Sequence, residues 1–126
     1  MRRRVVMAFA AVLFSSASSR VFAIEPEAML RAGHFTCPER DAKALESIVD
    51  AQGAEAVQAA VHDAVFGGHC GGPLGFEVAV ARLRIVKSPG GHAYACFHQL
   101  DPADHSDFGA FCTLERFVKP LPAPTP

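Results

Sequence analysis

The sequence predicts an α+β domain in which N-terminal helical segments pack on a three-stranded antiparallel meander, stapled by two disulfides. Three observations predict it. Apolar residues recur at helical spacing between positions 38 and 66, they alternate with a period of two after Gly75, and four cysteines are spread over both regions. Helices followed by strands, instead of alternating with them, are the pattern of helices gathered on one face of an antiparallel sheet.

The chain opens on Arg2, Arg3 and Arg4, continues through an apolar run over residues 5–14, and reaches Val21, Phe22 and Ala23 after a small polar stretch. A charged start, a short apolar run and small residues at the minus-three and minus-one positions are the layout of a cleaved export signal, here residues 1–23. The run falls well short of the roughly twenty residues a membrane-spanning helix needs, so no stable membrane anchor is expected after cleavage. The expected location is therefore periplasmic or secreted, with residues 24–119 as a single small domain. Removal of the signal takes away Arg2, Arg3, Arg4 and Arg20 but no acid, and moves the balance from 12 basic and 13 acidic residues to 8 and 13. A domain of that acidity is poorly suited to nucleic acid, whose phosphates are neutralised by Lys and Arg. At the far end, Pro120, Pro122, Pro124 and Pro126 make residues 120–126 an extended tail, because proline has no N–H to donate to a ladder.

Within the domain, Thr36, Cys37, Pro38 and Glu39 have capping-box spacing, with proline near the first turn where it loses no helical bond. A first helix is predicted from there to about Ala51, with Ala42, Leu45, Ile48 and Val49 on one face. Gly53 interrupts it. Val57, Ala60, Val61, Ala64 and Val65 then follow the spacing of a second amphipathic segment, ended by Gly67 and Gly68. The pattern leaves open whether the two segments are one kinked helix or a helical hairpin.

From Phe76 the apolar residues alternate through Val78 and Val80, then change phase at Leu83 and Ile85, which marks a bulge or a change of sheet face. Ser88, Pro89, Gly90 and Gly91 form a turn, residues 93–100 a strand, 101–107 a polar loop and 108–118 a third strand. Tyr94, Phe97, Phe108, Phe111 and Phe117 are expected to pack in the core and across the hairpin. Cys37, Cys70, Cys96 and Cys112 are even in number, and in an exported chain they read as two disulfides. A folded-back helical region favours Cys37 with Cys70, and a hairpin favours Cys96 with Cys112.

The chemistry in the sequence is sparse. It contains no serine nucleophile elbow, phosphate-binding glycine loop or dinucleotide fingerprint, and no cofactor is expected. His92, His98 and His105 gather with Asp101, Asp104 and Asp107 around one strand and its loop, but without zinc-motif spacing, so a metal-binding accessory protein is an alternative with no assigned ligands. Cys37 at a predicted helix N-terminus, with His92 or His98 as base, is the thiol–imidazole pair of a small cysteine hydrolase, in competition with a disulfide for the same sulfur. The leading expectation is a binding protein of the inhibitor or immunity type whose partner is another protein. Loops on a rigid scaffold carry such contacts. The 67–73 and 101–107 loops are the expected surface, with His69, Asp101, Asp104 and His105 as binding residues.

Overall fold

A computed structural model describes residues 23–123. The export-signal reading falls outside these residues except at Ala23, as do the last three residues of the tail. The elements run β1 (Ala28–Leu30), β2 (His34–Pro38), α1 (Ala42–Val49), α2 (Ala54–Phe66), β3 (Gly71–Leu74), β4 (Val78–Lys87), β5 (Ala93–Leu100), β6 (Asp107–Leu114) and β7 (Val118–Pro120). The strands form one seven-stranded antiparallel sheet in the order β3-β2-β6-β5-β4-β1-β7.

This architecture corrects the predicted three-stranded meander with helices at the N-terminus. The meander is present as β4-β5-β6, but β1 and β2 precede the helices and β3 and β7 extend the edges. The predicted capping box at Thr36 is instead strand β2, followed by a 3-10 turn at Glu39–Asp41 with no side-chain cap. Long-range pairing outweighs the local signal here: Cys37 stands opposite Cys112 and Pro38 opposite Phe111. The strand predicted to run to Val118 ends at Leu114, where a 3-10 turn, Glu115–Phe117, redirects the chain into β7.

Two short connections dictate the sheet's shape. Leu30 leads to His34 and Leu114 leads to Val118, yet each link joins strands four places apart in the sheet order. In a flat sheet four places are roughly 19 Å at the usual strand spacing. Four residues reach at most about 14 Å. The sheet must therefore curl into a half-barrel, with both connections crossing its open side. They are tied to one another there: Arg31 N–H donates to the Phe117 carbonyl at 2.7 Å, His34 Nδ1 donates to the Arg31 carbonyl at 2.8 Å, and the Phe35 and Phe117 rings meet edge-on at 5.7 Å.

The inner face collects Ala28, Leu30, Val80 and Phe97, with Leu83, Phe111 and Val118 packed against them. Val118 and Phe111 come from strands four places apart and still share this cluster, as curling requires. The phase change in β4 is absorbed by a bulge between Ala81 and Arg84, where Arg82 adopts φ 55°. The inserted residue returns Leu83 and Ile85 to the side already occupied by Val78 and Val80.

The outer face of β2, β6 and β5 carries the helices. Leu45 and Ile48 of α1 and Ala64 of α2 pack there with Phe35, Tyr94, Leu114 and all four cysteines. Gly53, at φ 89°, breaks the backbone between α1 and α2, so the helical region is two helices. After α2, Gly68 at φ 80° turns the chain back, and the N–H groups of His69 and Cys70 both reach the Ala64 carbonyl. That turn delivers Cys70 to Cys37. The disulfides are Cys37–Cys70 and Cys96–Cys112. Cys37, Cys112 and Cys96 are successive cross-strand partners, so three of the four sulfurs form one buried row across β2, β6 and β5.

Tyr94, the only tyrosine in the chain, is 3 % exposed and donates its hydroxyl to Glu46 Oε2 of α1 at 2.7 Å. Burial, and then the Glu46 carboxylate, push the phenol up from 10.0 to about 12. With no tryptophan present, phenolate absorbance reports this one group. It should titrate near pH 12 in the folded protein and near 10 in denaturant. A phenol raised on folding adds stability that is whole below pH 10 and is lost as pH rises through the folded value, so unfolding in strong base should begin in that window. Glu46→Gln should move the folded titration part of the way back, since burial remains.

Candidate functional site

Three places among the described residues concentrate polar side chains around concave or exposed surface. One is a cleft of about 750 Å³ between α1 and α2. Its floor is alanine: Ala44 from α1, and Ala56, Ala60 and Ala64 from one stripe of α2. Methyl side chains at positions 56, 60 and 64 fall on one helix face and leave the space that longer residues would fill. Arg40 and Lys43 form one rim, Asp63 stands on the other, and the pair His69–Asp41, with Nδ1 and Oδ1 3.5 Å apart, closes one end. His69 is thus a wall of the cleft, held by the turn that forms the Cys37–Cys70 bridge. The sequence carries this spacing, with Ala60 and Ala64 inside the helical periodicity of α2.

Asp101, Asp104 and His105 lie elsewhere, in the loop between β5 and β6. Their polar groups largely brace that loop: Asp101 Oδ1 accepts from the Ala103 N–H at 2.8 Å, Asp104 Oδ1 from the Ser106 N–H at 3.0 Å, and the Asp101 carbonyl from the His105 N–H at 2.8 Å. The Ser106 hydroxyl, followed by its N–H, holds the Asp104 carboxyl below the usual carboxylate range. His105 has φ 60° and accepts the Ile24 N–H at its carbonyl. Among the described residues no hydrogen bond or ion pair joins His69 to this loop, so the four expected binding residues fall into two separate places.

The third place is the end of α1. Asp50 caps the helix and accepts three bonds from the β4–β5 turn: Ser88 Oγ at 2.5 Å, His92 Nδ1 at 2.8 Å and the Gly90 N–H at 2.9 Å. The Ser88 hydroxyl first, then the His92 imidazole, keep its carboxyl below the usual range. His98 is likewise engaged, through Nδ1 to Asp107 at 2.8 Å, and lowers that carboxyl. Neither histidine faces a thiol. Cys37 lies on a strand and not at a helix N-terminus, is 0 % exposed, and its sulfur is bonded to Cys70. The arrangement therefore lacks both features on which the cysteine-hydrolase alternative rested. Among the described residues no three His, Cys, Asp or Glu side chains are grouped to hold a metal ion. Also among them, no helix is long and apolar enough to cross a membrane.

Comparison with protein-family models, with curated proteins and with solved structures returned no match, so any functional reading of this chain rests on its own geometry.

Proposed function

We propose that the chain is an exported binding protein of the inhibitor or immunity type, and that it seats a segment of another protein in the α1–α2 cleft. The observation that carries this reading is the cleft itself: about 750 Å³, alanine-floored, with cationic Arg40 and Lys43 on one rim and Asp63 on the other. Such a surface suits a segment that offers one apolar side chain flanked by charges of both signs, since opposed rims fix the direction in which the segment lies. Rigidity supports it as well. The two disulfides fasten the sheet under α1 and the turn after α2, so the cleft needs little ordering on binding. Two disulfides are compatible with export, in line with the signal-like N-terminus.

The test uses tagged mature protein to isolate the partner from the periplasmic or secreted fraction, followed by affinity measurements on variants. Ala59→Trp places a large ring on the exposed cleft lining without touching the core, and should weaken binding about tenfold or more, the loss expected when a central contact is obstructed. His69→Ala should weaken it less. The triple change Asp101→Ala, Asp104→Ala, His105→Ala reports whether the β5–β6 loop shares the interface. Unchanged affinity for both Ala59→Trp and His69→Ala would remove the cleft from the proposal.

A further inference from the structure

A second cavity, of about 400 Å³, lies under the Asp50–His92 pair, between the α1–α2 junction and the turn that leaves β6. Its polarity is graded. Phe35, Ile48 and Leu114, all nearly buried, and the partly buried Val49, Val57 and Val61 line the depth. The exposed His92, Glu115 and Arg116 line the mouth. Cavities of this size with apolar walls and a few convergent polar groups are what small-molecule sites look like.

The polar groups are also held in place. Asp50, ionised at neutral pH, accepts the Nδ1 proton of His92, which fixes the tautomer and leaves Nε2 as the ring's open nitrogen. The Arg116 guanidinium lies 5.2 Å from the centroid of the Phe117 ring, and the Arg116 carbonyl accepts Arg31 Nε at 3.2 Å. Among the ion pairs of the described residues Arg116 takes no part, so its fork is open to an incoming anion. Guanidinium is the side chain best matched to a carboxylate, which it meets with two parallel N–H bonds.

We propose that this cavity is a binding site for a small monocarboxylate with an aliphatic or aromatic tail, the carboxylate at Arg116 and the tail among Val49, Val57 and Val61. The site is distinct from the α1–α2 cleft and does not depend on the protein-binding reading. Glu115 at the same mouth disfavours a second negative group, which restricts the class to singly charged acids.

Titration calorimetry on the oxidised mature protein with octanoate, octylamine and N-acetyl-leucine tests it. Octanoate should bind saturably and about tenfold more tightly than octylamine, because a cationic head meets Arg116 instead of a counter-charge. N-acetyl-leucine, which mimics a peptide C-terminus, should bind less tightly than octanoate, since its shorter chain buries less apolar surface among the valines. Arg116→Gln, a change at an exposed position, should cost octanoate about tenfold. Glu115→Gln should leave its affinity equal or better, and Ala59→Trp in the other cleft should leave it unchanged. Val57→Trp, which fills the cavity, should abolish binding while the melting transition is retained. Absence of saturable octanoate binding, octylamine or N-acetyl-leucine binding as tightly, or an Arg116→Gln variant with wild-type affinity would overturn the proposal.

Discussion

Replacing Cys70 by Ser should destabilise the protein by about 4 kcal/mol and re-pair its remaining cysteines. The stability loss follows from the chain separation of 33 residues that the Cys37–Cys70 bridge closes, for which loop-closure entropy gives about that figure. The re-pairing follows from register. Cys37 stands directly opposite Cys112, and Cys112 directly opposite Cys96. A freed Cys37 thiolate can attack Cys112 Sγ, form a 37–112 disulfide and release the Cys96 thiolate, an exchange that consumes no oxidant. Peptide mapping of Cys70→Ser without reduction should find the 37–112 linkage beside 96–112. The reciprocal variant, Cys37→Ser, loses the same bridge but leaves its free thiol at Cys70, off the row, and should keep 96–112 intact. Both variants should unfold at similarly reduced denaturant concentration. Equal linkage patterns in the two would contradict the three-cysteine row.

Phe97→Ala should cost about 4 kcal/mol, as large-to-small changes at fully buried aromatic positions do. Phe97 is 1 % exposed on the inner face, where strands from both sides of the curl converge. In a flat sheet with helices on one side only, Phe97 would face solvent and the same change would be nearly neutral. Urea denaturation of the variant therefore separates the half-barrel from a two-layer arrangement. Phe108→Ala is the control, since Phe108 is 59 % exposed and its loss should change stability by less than about 1 kcal/mol.

The longer elements were legible because their periodicity extends over enough residues to be read. Val57, Ala60, Val61 and Ala64 marked α2, and the alternation from Val78 marked β4 together with the irregularity that became its bulge. The four strands absent from the sequence pattern are three to five residues long and have no window in which a period of two can emerge. β3 is Gly71, Gly72, Pro73 and Leu74, a composition that reads as a turn and becomes a strand only because β2 lies beside it. At Thr36 and Cys37 the local helix-capping signature and the long-range pairing with β6 compete, and only the folded chain shows which prevails. The topology was hidden for the same reason: curling is forced by where two three-residue links must reach, a property of pairing and not of composition.

The sites follow the same division. His69 stands out in the sequence by its glycine-rich loop and lies on the cleft wall, but its partner Asp41 is distant in sequence and belongs to the turn before α1. Asp50 with His92, 42 residues apart, left no local trace at all. Asp101 and Asp104 were visible as a cluster of acids, but their role in bracing the loop depends on N–H groups whose positions sequence does not give.

The proposed export and function both require an oxidised domain, held by one bridge from β2 to the turn after α2 and by a second across β5 and β6. Mass spectrometry of the protein taken directly from its native cells under thiol-blocking conditions tests this claim most directly. The predicted result is a chain beginning at Ile24, with no alkylated cysteine and with Cys37–Cys70 and Cys96–Cys112 as its linkages. A chain that retains Met1 and carries four alkylated thiols would contradict it.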